Sequence, residues 1–213
     1  MSSIISVSNL VLKIKDNLIL DDVNICLESG KIHGLIGRNG SGKTMLMKCV
    51  CGFVRPTSGE IIVDGKRIGV DCDFPEDIGL IIETPGFIPY YSGLRNLQIL
   101  ASLRGKVTKE QICDAMRSVE LDPELRLQVR KYSLGMRQRL GIAQAIMEEP
   151  KYLILDEPMN GLDNQGVEDV RNLLLELKKQ GKTILIASHN REDIDVLCDH
   201  VWEMDKGVAT KVR

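Results

Sequence analysis

The segment Gly37-Arg38-Asn39-Gly40-Ser41-Gly42-Lys43-Thr44 fits the pattern G-x-x-x-x-G-K-[ST] and lies between an apolar run and a helical one. That placement constrains the fold first, because the pattern works only as a turn leading from a strand into a helix. The glycines let backbone N–H groups crowd around phosphate oxygens, and the helix starting near Lys43 directs its positive end at the same anion. In such a loop Lys43 reaches the β- and γ-phosphates of a nucleoside triphosphate, and Thr44 holds Mg2+. The plainer alternative, a glycine-rich turn capping an ordinary helix, is disfavoured by the flanking pattern. Asn39-Gly40-Ser41 is also a formal glycosylation sequon, which its position inside this loop makes a coincidence.

Residues 4–12 and 18–27 alternate as strands, and residues 31–36 form a strand running into the glycine loop, with a helix over 43–51. Further strands are expected at 60–63 and 78–82, so the opening third is sheet-rich. From about 94 to 147 the period becomes helical. Thr108-Lys109-Glu110-Gln111 is a capping box there, followed by Ile112, Ala115, Met116 and Val119 on one face. Strand and helix then alternate again: a buried strand at 152–155, a helix at 164–180 striped by Val167, Val170, Leu173, Leu174 and Leu177, and a strand at 183–187. Strands separated by helices imply a mainly parallel sheet, whose ligand crevice lies beyond its carboxyl ends. The glycine loop, Asp156-Glu157 and Ser188-His189 each follow such a strand end, so three polar sites converge on one crevice.

A chain of 213 residues with 43% apolar content can bury one good core. The formal charge of −2 gives no electrostatic footprint for nucleic acid and no polybasic patch for a membrane surface. No apolar stretch has membrane-spanning length, and Met1-Ser2-Ser3 lacks the regions of a secretion signal, so a cytosolic chain is expected. Cys26, Cys49, Cys51, Cys72, Cys113 and Cys198 show no C-x-x-C spacing, which favours reduced, buried thiols over disulfides or a metal site at Cys49-x-Cys51. His33 and His200 lack a functional context and are expected to be structural.

Tyr152-Leu153-Ile154-Leu155-Asp156-Glu157-Pro158 is an apolar strand ending in two carboxylates. Asp156 suits Mg2+, directly or through water, and Glu157 suits the attacking water, as proton acceptor or orienting group.

With this segment the chain resembles the ATP-binding subunit of an ABC transporter over nearly its whole length. The deciding stretch is Tyr132-Ser133-Leu134-Gly135-Met136-Arg137-Gln138-Arg139, similar to the family signature Leu-Ser-Gly-Gly-Gln. The resemblance implies an α/β fold of the P-loop NTPase (RecA-like) type, with a mainly parallel sheet core, an N-terminal antiparallel β part and an inserted α-helical subdomain. The nucleotide-binding core would comprise residues 1–86 and 148–213, and the helical subdomain residues 87–147. It implies ATP and Mg2+ as cofactors and ATP hydrolysis as the activity. Ser133 becomes a phosphate ligand as well as an N-cap, and Gly135 lets a γ-phosphate approach the backbone. Asn160-Gly161-Leu162-Asp163 resembles the D-loop that crosses the subunit interface, and His189 resembles the switch histidine that senses the γ-phosphate.

The implied partners are a membrane-spanning permease and a second ATPase subunit, in a head-to-tail homodimer that sandwiches two nucleotides. Membrane contact would run only through the permease, on the inner face of the cell membrane. Two positions depart from the family pattern. Ile14 stands where an aromatic residue commonly stacks on adenine, which predicts weaker base stacking. Glu83, in Ile81-Ile82-Glu83-Thr84-Pro85-Gly86, replaces the usual glutamine that touches Mg2+ and relays motion to the permease. Glu-Thr-Pro and the form of the signature are similar to the branch handling bacitracin and lantibiotic-type peptides, so export is expected. Phe87, Tyr90 and Tyr91 suit the groove that receives a cytosolic helix of the permease, or a cover for the helical lobe. A soluble ABC-type ATPase acting on ribosomes or DNA is the competing class; it would need two fused units or long coiled-coil arms. A small-molecule kinase would leave the signature segment unexplained.

Overall fold

In the computed structural model, which describes residues 3–213, the N-terminal alternation forms an antiparallel hairpin of β1 (Ser3–Ile14) and β2 (Asn17–Glu28). Ile5, Val7, Leu10 and Leu12 are buried on β1, so the period of two slips by one residue after Val7. A β-bulge causes the slip, with Asn9 at φ 48°. β3 (Ile32–Ile36) leads through the glycine loop into α1 (Lys43–Val50). β4 (Ser58–Val63) and β5 (Lys66–Arg67) then join the hairpin in a four-stranded antiparallel sheet ordered β2-β1-β4-β5.

β6 (Ile78–Ile81) precedes α2 (Gly93–Arg104), α3 (Lys109–Arg117) and α4 (Leu134–Ile146). β7 (Tyr152–Asp156), α5 (Asn164–Lys179), β8 (Thr183–Ala187), α6 (Arg191–Leu197), β9 (His200–Asp205) and β10 (Val208–Lys211) complete the chain. The second sheet has the order β10-β9-β3-β8-β7-β6, parallel throughout except for the β9–β10 pair. This is the α/β P-loop NTPase architecture, with its antiparallel β part and its helices.

Both faces of the parallel sheet are covered, which is why β7 and β8 are buried at every position. Tyr152 and Ile154 face α1 and the antiparallel sheet, packing with Leu20, Leu46, Met47 and Trp202. Leu153 and Leu155 face the helices and share one core with Leu97, Ile112, Met116, Leu140 and Leu174. Each fully buried side chain of this kind contributes about 1.5–3 kcal/mol. The helices carry the expected faces: Ile112, Ala115, Met116 and Val119 are buried, and Thr108 and Gln111 form the reciprocal capping box. Because that core continues from the helices into the sheet, the helical lobe has no apolar interior separate from it.

Three expectations need correction. The helical period does not run unbroken to 147, since residues 118–133 hold only a short 3-10 turn, Val129–Lys131. Pro123 has no N–H for a helical bond, and Asp122 Oδ1 instead accepts from Glu124 N (2.8 Å) in a turn. The final hairpin and α6 were not expected at all. Nor are all the thiols buried: Cys49, Cys51 and Cys198 are, whereas Cys26 is exposed and Cys72 and Cys113 are half-buried, all six being free. Cys26 alternates with the inward-facing Ile25 and Leu27 of β2 and therefore points outward. Burial pushes the Cys49 and Cys51 thiols up to about 11 and about 12, which disfavours the thiolate a metal would need. His33 is structural: it is fully buried, its Nε2 lies 3.0 Å from Glu28 N, and burial pushes its imidazole down to about 4. No helix among the described residues is long and apolar enough to cross a membrane.

Candidate nucleotide site

Four neighbouring parallel strands, β3, β8, β7 and β6, end on one side of the sheet, and a polar segment follows each. The glycine loop follows β3. Its N-terminal half, Arg38 to Gly40, is exposed, and Ser41, Gly42 and Lys43 are buried. Gly37 adopts φ 144°, and a Cβ there would stand 2.2 Å from the carbonyl oxygen of Met204, so no side chain fits. The turn between β9 and β10 clasps this loop from behind. Gly207 N donates to Ser41 O (3.0 Å), while Gly207 O accepts from Asp21 N of β2 (2.9 Å).

Lys43 Nζ donates to the loop's own carbonyls, Gly37 O at 2.7 Å and Arg38 O at 3.2 Å. The buried Ser41 hydroxyl has no hydrogen-bond partner. An orphaned hydroxyl and an ammonium folded back on its own loop, beside the first N–H groups of α1, are the donor set that a triphosphate requires. Thr44 Oγ1 donates to Asp156 Oδ2 at 2.7 Å across the loop and the end of β7. These two hard oxygens suit Mg2+. A cleft of about 440 Å³ opens here, lined by Asn39, Gly40, Gly42, Lys43, Thr44, Asp156 and Glu157 together with Ile19 and Met45. Ile14 is not part of that lining. It stands 44% exposed at the tip of the first hairpin, and the apolar wall of the cleft comes from Ile19.

Glu157 follows the strand in a left-handed conformation, φ 49°, which costs a non-glycine residue backbone strain. Two contacts hold it there. Its N–H donates to Ala187 O at the end of β8 (2.9 Å), and Gln138 Nε2 of α4 donates to Glu157 O (3.2 Å) and Pro158 O (2.9 Å). The bend aims the carboxylate at His189: Glu157 Oε2 and His189 Nδ1 are 2.8 Å apart. The segments after β7 and β8 therefore meet as their order in the sheet requires.

Glu83, after β6, also has positive φ, 60°, but its carboxylate pairs with Lys48 Nζ at 2.6 Å and lies outside the lining of the cleft. Ser133 caps α4, accepting from Met136 N (3.1 Å), and is exposed. Asp163 caps α5 in the same way, accepting from Gly166 N at 2.9 Å. A Cβ on Gly135 would stand 2.9 Å from Gly161 O, so the signature segment packs against the D-loop of its own chain and not against its own glycine loop. Tyr90 and Tyr91 are exposed, and Phe87 packs partly into the helical core.

Gln138, Ile19 and Gly207 were not legible in the sequence. Gln138 carried one usable signal, a polar residue among the apolar positions of α4.

A family model described as ABC transporter matches residues 20–160. The uncharacterized ABC transporter ATP-binding protein YybJ of Bacillus subtilis (strain 168) is 45% identical, across 95% of this chain and 93% of that protein. The bacitracin transport ATP-binding protein BcrA of Enterococcus faecalis is 42% identical, across 97% of this chain and 68% of BcrA. Among solved structures, the dimeric bacterial cassette MJ0796 superposes with a TM-score of 0.88 at 21% identity, across 98% of this chain and 99% of that one, a likeness of fold. Sheet order, phosphate cleft and sequence agree: the chain belongs to the ABC transporter ATP-binding proteins, ATPases that work on ATP with Mg2+.

Proposed function

We propose that this ATPase powers export of a peptide antibiotic or similar amphiphile through a separate membrane permease, and that Glu157 and His189 carry its hydrolytic step. The 2.8 Å contact between Glu157 and His189, one strand away from the Thr44–Asp156 pair, carries the reading of the site. Residues 37–44 would wrap the phosphates, with Lys43 exchanging its loop carbonyls for phosphate oxygens. Thr44 and Asp156 would hold Mg2+, which supplies positive charge against the phosphate oxygens. Glu157 would orient the attacking water and accept its proton, while His189 holds Glu157 and the γ-phosphate in line. Ile19 would give the base a flat apolar contact; Ile14, at the hairpin tip, would reach it only from the side.

Ser133, Gly135 and Asp163 lie outside the lining of their own phosphate cleft, which supports a role in the site of a second subunit, as expected for a head-to-tail dimer. The MJ0796 cassette, similar in fold, is itself dimeric. Glu83 would reach Mg2+ only after releasing Lys48, so its proposed metal role is conditional on that exchange. We place residues 87–147 as the helical subdomain and the remainder as the nucleotide-binding core, on the inner face of the membrane beneath the permease. Similarity to BcrA, a bacitracin transport protein, supports the export reading. Cells expressing this chain with its permease are expected to survive higher bacitracin or lantibiotic concentrations, and Glu157→Gln to abolish the gain. Unchanged survival with an assembled, ATP-hydrolysing complex overturns the substrate class.

A further inference from the structure

His189 sits in the turn between β8 and α6, and one hydroxyl holds both of its neighbours. Ser188 Oγ donates to Asp193 Oδ2 (3.1 Å) and accepts from Asn190 N (3.1 Å). Asp193 is only 2% exposed, and its other oxygen, Oδ1, accepts from Arg171 Nε (3.0 Å) and Nη2 (2.6 Å). Arg171 reaches this point from α5, with 5% of its side chain exposed, and donates further to Glu168 (2.6 Å) and Glu192 (3.3 Å). The chain of contacts thus runs from the helix that Asp163 caps to the turn that carries His189.

An ion pair so deeply buried contributes little to stability that two packed apolar side chains would not, because desolvating both charges offsets their attraction. Asp193 does provide what a leucine in its place could not: an acceptor that fixes the Ser188 hydroxyl, and with it the backbone N–H after His189. His189 itself is exposed, and the polar contact of its ring is the one to Glu157. Its alignment with Glu157 depends on the turn below.

We propose that Asp193, clamped by Arg171, is a positioning residue that acts through Ser188 to hold His189 against Glu157. The inference rests on the reading of His189 given above, and it assigns a role in turnover to three residues outside the lining of the phosphate cleft.

The test uses the purified full chain with Mg-ATP, measuring kcat, KM and calorimetric ATP binding for Ser188→Ala, Ser188→Thr, Asp193→Asn, His189→Ala and the Ser188→Ala/His189→Ala double variant. Ser188→Ala leaves the ion pair intact and is expected to lower kcat about ten- to a hundredfold, as loss of alignment does, with ATP binding unchanged. Ser188→Thr, which keeps the hydroxyl, restores most of the rate, and Asp193→Asn lowers it in the same sense. In the His189→Ala background, Ser188→Ala costs less than about twofold more, because the two act as one unit. The same factor lost in both backgrounds overturns the inference, as does a fall in ATP binding with Ser188→Ala, which would assign the network to folding. His189→Ala with wild-type kcat would overturn the catalytic reading of His189 and this inference with it.

Discussion

The glycine loop and the signature segment are both polar turns that open helices, yet they are finished to different degrees. Around the loop, the groups that matter meet within one chain: Thr44 with Asp156, Glu157 with His189, Gly207 with Ser41. The signature opens on exposed Ser133 and Leu134, which meet only the cap of α4 and the D-loop among the described residues. One region is therefore a site that a single chain can assemble, and the other is, on the proposed dimer reading, half of a site. Gln138 lies between them, sending its amide from the signature helix to the carbonyls of Glu157 and Pro158.

Variants can separate the two regions, beginning with the largest effect. Glu157→Gln is expected to lower turnover about a thousandfold and leave ATP affinity unchanged, since general-base contributions span that range; single-turnover kinetics measure it, and a loss below tenfold would remove Glu157 from the water-activating role. Gly135→Asp and Lys43→Ala should each abolish steady-state turnover, but only Lys43→Ala should abolish ATP binding by the isolated chain. Mixing the two proteins should restore about a quarter of the wild-type rate, because random head-to-tail pairing leaves one intact site in half of the dimers. No recovery would break the proposed pairing of loop and signature across subunits.

Gln138→Ala removes the side-chain donor of Pro158 O and leaves Glu157 O with Asn160 N (3.2 Å), an expected cost of about 1–3 kcal/mol in urea-unfolding stability, together with a fall in kcat as Glu157 relaxes from its strained backbone. If stability falls and kcat does not, Gln138 is a packing residue only. Ser133→Ala should have the smallest structural effect, about 1 kcal/mol from the lost N-cap, with unchanged ATP binding by the monomer. A weakened monomer affinity would mean that Ser133 serves its own chain's nucleotide.

What was legible in the sequence follows the same division. A phosphate loop, a strand ending in carboxylates and a capping box are local patterns, and each appears where its pattern placed it. Contacts between distant segments left fainter marks. Arg171 lies with Val167, Val170 and Leu174 on the buried stripe of α5, and Asp193 lies with Ile194 and Leu197 on that of α6. A charge on an apolar stripe was the available signal for their pairing, although neither position reveals the other. Ile14 illustrates the opposite case. Position relative to a family pattern pointed to the tip of the hairpin, whereas Ile19, further along β2, stands at the wall of the cleft.

The clasp of Gly207 on Ser41 bears on how the protein is made. The pattern that announces ATP is synthesised early, but the backbone amide that braces it belongs to a turn near residue 207. A nascent polypeptide carries the recognisable glycine loop for more than 150 residues of synthesis before that brace exists, since the loop closes at Thr44 and the brace is at Gly207. Fragments that stop short of the β9–β10 turn should likewise be poor baits for nucleotide, however faithfully they preserve the motif.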